Sequence, residues 1–344
     1  MDKKNLLKLY RQVVRETGFK EDKTSEGWMP QLGPDDYRSV IREGRLNRER
    51  AVITVSPHED LYEIADHLDT YRFQTHDMAE PIIRVPSIMQ WRKLYNRDDT
   101  MKVSYMIQRA LPNGDRILQN FPRQSSADEK AEVAKLYWNT VKNFPKIDPD
   151  PSSYSATDYF LERADKFFAS GRQWRTSIEK ERLITEKEKN SALAVIFRHC
   201  MNMKMQPFFA HFGNTDIVKT GDVRYYIWNS PIVFKPECAG IAYWIWSLVM
   251  NSYDLRPKRM LGELGQWLMA FDTYAPLKQQ NDPKFGIRIW VNLVERMLGA
   301  LLVDIPLSRS PLDVGLSRDR RKNIRDNCRE ILKLGIFTLA DYGA

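Results

Sequence analysis

Five histidines and three cysteines are the side chains of this sequence best suited to metal or nucleophile chemistry. His58, His67 and His76 recur every nine residues. Nine steps of about 100° put helical neighbours on opposite faces, so the three do not converge on one ion. His199 and Cys200 are adjacent, and adjacent helical side chains diverge. His211 sits in the aromatic stretch PFFAHFGN and reads as a satisfied or half-exposed histidine. Cys200, Cys238 and Cys328 match no zinc or thioredoxin spacing, and an odd number builds no closed disulfide framework. Reduced thiols in a reducing compartment are expected. Glu162, Asp165, Glu179 and Glu181 alternate with basic residues, as on solvated helix faces. The chain has no P-loop, no G-x-G-x-x-G and no G-x-S-x-G. With no local catalytic pattern, the expectation is a protein that is not an enzyme, with no metal and no directly bound cofactor.

Basic residues offer binding chemistry instead. In SRDRRKNIRDNCREILKLG, Arg318, Arg321, Arg325 and Arg329 recur at three- and four-residue steps, while Ile324, Cys328, Ile331 and Leu332 line another helix face. Such a stripe suits an RNA backbone or an acidic protein. Asp319, Asp326 and Glu330 interleave, so pairing within the helix is the other reading. In VRYYIWN and YWIW, aromatics beside basic residues either stack on bases or fill a core.

The elements that must position these groups read as helices. With 42% hydrophobic and 28% charged residues in 344, the chain is long and apolar enough for a packed core. A net charge of +8 favours acidic partners. The first twenty residues lack the apolar core and cleavage site of a secretory signal. The longest uncharged run, Cys238 to Tyr253, falls short of the roughly 20 apolar residues a bilayer span needs, and predicts a buried helix and no transmembrane span. Helices are expected over 3–18, 34–50 and from Ser56, whose capping box runs to Glu59. Others follow in SIMQWRKLY, in DDTMKVSYMIQRAL, and over 126–143, 156–170, 174–204, 237–252, 258–272, 285–303 and 317–335. Residues 216–234 are rich in β-formers and suggest one short hairpin. The fold class expected is mainly α and multi-helical. It divides into a three-helix module at 1–75, a helical region at 76–143, a Pro/Ser-rich linker at 144–155 and a helical domain at 156–344.

The opening stretch NLLKLYRQVVRETGF carries Leu9-Tyr10-Arg11, then Arg15, then Phe19. With YRSVIREGRLNRER at 37–50, it resembles the LYR-motif family of small mitochondrial three-helix proteins. The second helix of that family commonly has a Phe where this chain has Gly44, ahead of Arg45. The resemblance implies docking of the mitochondrial acyl carrier protein. Arg11 would meet its acidic face with Arg15, Arg38, Arg42 and Arg45, Leu9 would belong to the same docking motif, and Tyr10 and Phe19 would help shape a tunnel for the acyl-phosphopantetheine chain. It further implies a matrix location and neighbouring subunits of a respiratory complex, ATP synthase or mitoribosome. The function expected is thus a non-catalytic scaffold subunit or assembly factor. The alternative is an RNA-binding viral nucleoprotein or coat protein, in a virion or cytoplasm, with the Arg318–Arg329 face on the nucleic acid.

Overall fold

The computed structural model describes residues 3–22, 27–30, 37–58, 61–95, 101–118, 124–145, 154–227, 230–252, 254–307 and 318–342. The chain divides into two compact units, one drawn from 1–79, 84–114 and 220–232, the other from 80–83, 115–219 and 233–344.

The first unit is built on an antiparallel sheet. Its strands are β1 (Lys20–Glu21), β2 (Gly27–Pro30), β3 (Tyr37–Leu46) and β4 (Glu49–Ser56). Helix α2 (Leu61–Thr75) follows, then short β5 (Ile83–Arg84), β6 (Ile88–Tyr95) and β7 (Met101–Arg109). The order is β1-β3-β4-β7-β6, with β2 also paired to β3. This overturns the mainly helical expectation, and Asn47-Arg48 shows why. Both residues are left-handed, at φ 50° and 72°, between the paired Leu46 and Glu49. A two-residue turn of this hand matches the twist of a hairpin. Residues 37–50, expected as a helix, are therefore strand, turn and strand. The β-branched run Ala51–Ser56 is buried throughout and pairs with β3 on one side and β7 on the other, as a central strand should. The helical pieces expected around 88–95 and 101–109 are strands for the same non-local reason.

Helix α1 (Lys3–Thr17) forms as expected. Leu6, Leu9, Tyr10 and Val13 bury one face into a core shared with Val40, Ile53, Val55, Tyr105 and Ile107 of the sheet. Gly18, at φ 71°, ends the helix, its N–H donating to the Val14 carbonyl. Leu9, Tyr10 and Phe19 are thus core residues of their own unit, and a sheet fills the place of the expected tunnel. Arg11 and Arg15 are exposed, with Arg15 Nε donating to the Arg11 carbonyl at 3.2 Å. Arg42 is buried, paired with Glu21 at 3.0 Å and set over the Tyr10 ring at 5.9 Å. Arg45 is exposed on β3 opposite Lys20 and Arg50. Arg38 lies on β3, its side chain outside the described residues.

Gly44 has a local cause. A Cβ there would meet the Lys20 carbonyl oxygen and lie 2.7 Å from the Phe19 ring. Gly44→Val is expected to push β1 off β3 and cost about 1–3 kcal/mol. A urea midpoint lowered at unchanged slope checks this; an unchanged midpoint contradicts it.

The second unit is mainly helical. It contains β8 (Asp115–Arg116), α3 (Ala127–Lys142), α4 (Ala156–Gln173), α5 (Arg175–Glu181) and α6 (Glu186–His199). Then come β9 (Met205–Phe209), β10 (Ile217–Lys219), β11 (Tyr225–Ile227), which lies in the first unit, and β12 (Ile232–Pro236). Helices α7 (Ala239–Asn251), α8 (Pro257–Thr273), α9 (Leu277–Gln280), α10 (Phe285–Gly299), α11 (Ile305–Leu307) and α12 (Arg318–Asp341) complete it. β8 pairs with β10, and β9 with β12. The long helix expected over 174–204 is broken at Arg182, which is left-handed at φ 52°. Of the expected linker, 146–153 lie outside the described residues.

The uncharged run forms α7, and it is core. Trp244 packs on Trp267 with ring centroids 5.4 Å apart, and Tyr137 touches the rings of Phe208, Phe212 and Phe271 at 5.4–5.6 Å. Tyr225 of the VRYYIWN stretch is buried as well, so neither it nor Trp244 is free to stack on bases. Among the described residues, no helix is long and apolar enough to cross a membrane.

Candidate active site in the helical unit

Two chain turns meet beside α7. After β9 the backbone passes through Ala210, His211, Phe212, Gly213 and Asn214 into β10. Asn214 ties this turn to the helix: its N–H donates to Ser247 Oγ at 3.0 Å and its Oδ1 accepts from Asn251 Nδ2 at 3.0 Å. Gly213 is required there, because a Cβ would strike Ser247 Oγ. The second turn joins β12 to α7 through Cys238, which is left-handed at φ 68°. A non-glycine residue held so stores strain of order 1–3 kcal/mol, and such residues cluster at functional sites.

With α4, α10 and the π-turn Ala300–Asp304, these turns enclose a cavity of about 320 Å³, the size of a small-molecule site. Four cations line it, Arg163, Lys166, Lys235 and Arg296, against two carboxylates, Glu295 and Asp304. Both carboxylates are engaged. Arg163 Nε reaches Glu295 at 2.5 Å, and Asp304 accepts from Arg296 and from Trp246 Nε1 at 3.0 Å each. The Lys235 ammonium donates to the Ala210 carbonyl at 2.5 Å and lies 5.3 Å from the Tyr243 ring centroid. It has no ion-pairing carboxylate among the described residues. His211 Nδ1 is 2.7 Å from the Tyr243 hydroxyl, the two rings standing nearly perpendicular.

Burial lowers the Lys235 pKa most. Arg296 of α10 and Arg163 of α4 push the same way, against Glu295 and Asp216, and the value falls from 10.5 to about 7. Burial raises the Tyr243 phenol, with Asp216 adding to it, so Tyr243 stays protonated beside His211.

The lowered pKa predicts a stability slope. Between about 7 and 10.5 the unfolded chain keeps a proton on Lys235 that the folded chain has released. Stability from this group therefore rises with pH across that window, by up to about 1.4 kcal/mol per unit, and the burial penalty is full below it. Cys238 and Cys328, whose thiols burial pushes up from 9.0, act oppositely at higher pH, so the clean window is about 7 to 9. Urea unfolding at both ends of that window should show wild type gaining on Lys235→Met. Parallel behaviour of the two contradicts the assignment.

No family model matches the chain, and no curated protein matches it in sequence. In three dimensions, however, solved structures match both units along nearly the whole length. The class they define is the kinase-like α+β fold of small-molecule phosphotransferases. An amicoumacin kinase, hAmiN, solved with AMP-PNP, Ca2+ and its ligand, superposes with a TM-score of 0.57 at 10% identity, over 94% of this chain and 93% of that one. A thermostable mutant of aminoglycoside phosphotransferase APH(4)-Ia gives 0.53 at 12% identity, over 94% and 98%. A microcompartment-associated aminopropanol kinase gives 0.53 at 10% identity, over 97% and 98%.

These matches correct the expected function. A fold shared with kinases replaces the non-catalytic scaffold, the acyl-carrier and multi-subunit partners, and the viral coat. The C-terminal arginines are likewise turned inward. Arg321 donates to the Ile305 carbonyl at 2.8 Å and pairs with Glu181, Arg325 donates to the Glu181 carbonyl at 2.9 Å, and Arg329 pairs with Glu188 at 2.8 Å. The Arg318 side chain lies outside the described residues.

Protein kinases hold their two Mg2+ through an aspartate and an asparagine, and place a lysine on the strand before the first helix of the sheet-bearing lobe. Here β4, the strand that precedes α2, carries no lysine. Among the described residues, no group of three or more His, Cys, Asp or Glu side chains could hold a metal ion. β12, beside the His211 turn, brings the Lys235 ammonium to the cavity instead. Sequence reasoning missed Lys235, Arg163 and Arg296 altogether, and set His211 aside. The available signal was a lysine inside an otherwise apolar strand, IVFKP.

Proposed function

We propose that this chain is a phosphotransferase that moves the γ-phosphoryl group of a nucleoside triphosphate to a small molecule seated in the cavity of the helical unit. The observation that carries the reading is a cation-rich cavity in a chain whose whole length follows the fold of kinases that act on small molecules. Phosphoryl transfer asks a protein mostly for positioning and for positive charge around the transferring group. Lys235, Arg163 and Arg296 supply that charge. His211, oriented through Nδ1 by Tyr243, is the residue we assign to take the proton of the acceptor hydroxyl. As that proton leaves, the acceptor oxygen bonds to the γ-phosphorus, the bond to the bridging oxygen breaks, and the diphosphate departs.

ADP formation from ATP, followed across a panel of small hydroxyl compounds, tests this. At least one compound should stimulate ADP release and gain a phosphate by mass, and His211→Ala should lower that rate by about 10²–10⁴-fold. No stimulation by any acceptor class, or an undiminished His211→Ala, contradicts it.

A further inference from the structure

Resting on that reading, we infer that Tyr243 is a positioning residue of the transfer: its phenol oxygen accepts from His211 Nδ1–H, which holds the proton of the neutral imidazole there and leaves the Nε2 lone pair free to act as base. The geometry starts in the sequence of α7. In this otherwise apolar helix, Tyr243, Ser247 and Asn251 carry the hydroxyl and amide groups. They recur every four residues and so share one face. Burying such groups costs free energy unless each finds a partner.

The turn at 210–214 supplies those partners. The Tyr243 hydroxyl lies 2.7 Å from His211 Nδ1. One helical turn on, Ser247 Oγ accepts from the Asn214 N–H at 3.0 Å and donates to Asn214 Oδ1 at 2.5 Å. A further turn on, Asn251 Nδ2 donates to the same Oδ1 at 3.0 Å and to the Ser247 carbonyl at 2.7 Å. The approach is so close that a Cβ on Gly213 would strike Ser247. The Lys235 ammonium ties down the start of the turn, at the Ala210 carbonyl. Ser247 and Asn251 thus fix the backbone just beyond His211, and Tyr243 fixes the ring.

The hydrogen bond at Nδ1 decides what that ring can do. A neutral imidazole carries one proton, and the bond made by one nitrogen sets where it rests. Were the Tyr243 hydroxyl the donor, the proton would sit on Nε2 and neither nitrogen could take another. With Nδ1–H donating to the phenol oxygen, Nε2 can accept a proton, and the imidazolium formed keeps the bond to Tyr243. The aromatic ring serves separately, since Lys235 and Arg296 lie against it at 5.3 and 5.5 Å. Tyr243→Phe therefore removes the hydroxyl and keeps the surface on which both cations rest.

Nitrogen-15 magnetic resonance of the full chain, labelled at histidine and recorded where the imidazole is neutral, reads the tautomer, with His211→Ala identifying the His211 signals. The wild type should carry its ring proton on Nδ1, and Tyr243→Phe should shift the population towards Nε2–H. In turnover, Tyr243→Phe should lower kcat by about tenfold or more with KM nearly unchanged. A wild-type proton on Nε2, a tautomer that Tyr243→Phe leaves as it was, or an undiminished kcat overturns the inference. Should Tyr243→Phe fold poorly, the wild-type spectrum alone decides. No nucleotide enters the spectrum, so its result is separate from the turnover test. A proton on Nδ1 without ADP formation from any acceptor would remove the transferase reading alone. Acceptor-stimulated turnover with the proton on Nε2 would remove the Tyr243 inference and leave the transferase reading standing.

Discussion

Lys235→Gln is expected to lower phosphoryl transfer by about 10²–10³-fold, the loss typical when one preorganised charge is removed from a developing anion. The ammonium sits on β12 at the edge of the cavity, fixed by the Ala210 carbonyl and by the Tyr243 ring, so no reorganisation is needed when the phosphoryl group arrives. The loss should fall mainly on kcat, because charge on the transferring group grows towards the transition state. The pH profile adds a second check. Lys235 must be protonated to act, so kcat/KM falls as pH rises through about 7 in the free enzyme. The kcat profile should break at higher pH, since a bound anion holds the proton. Lys235→Arg, whose charge persists, should flatten both profiles. Equal pH profiles for wild type and Lys235→Arg would contradict the role.

Glu263→Ala is expected to cost the helical unit about 3–5 kcal/mol. Glu263 and Lys130 form an ion pair at 3.0 Å with side chains 0% and 4% exposed. Glu263 also accepts from the Ser125 N–H at 3.1 Å, and Lys130 donates to the Ser125 carbonyl and to Gln266, close to the Trp267 ring. Truncating the acid leaves the ammonium of Lys130 buried on neutral acceptors with its counter-charge gone. The melting temperature should drop by about 6–20 °C for a unit of this size. The double replacement Lys130→Met with Glu263→Leu should recover most of the loss, because a buried pair is often replaceable by apolar volume. A double variant no more stable than Glu263→Ala would show that packing, not the stranded charge, is responsible.

The helical unit was largely legible in the sequence, for local reasons. Ser126 begins α3 with a capping box to Glu129, and the uncharged stretch after Cys238 became α7. The sheet was not legible, because what decides it is distant. Val40 and Ile41 fit a helix as well as a strand until β4 pairs with β7, some fifty residues further on, and buries both of its faces. The Asn47-Arg48 turn was the one local clue. Leu9-Tyr10-Arg11 pointed to a carrier protein, whereas in the structure Leu9 and Tyr10 enter the core of their own unit and Arg11 is exposed. At the site, His211 was noticed and read as bland, since its partner Tyr243 and its neighbour Lys235 lie 32 and 24 residues away. A constellation assembled from two turns and three helices leaves no contiguous motif.

Nuclear magnetic resonance of the Lys235 side chain, titrated with and without inorganic phosphate, bears most directly on whether this cavity is a phosphate-handling site. The expected midpoint is near 7 in the free protein and moves upward when phosphate binds. A midpoint near 10.5 that ignores phosphate would contradict it.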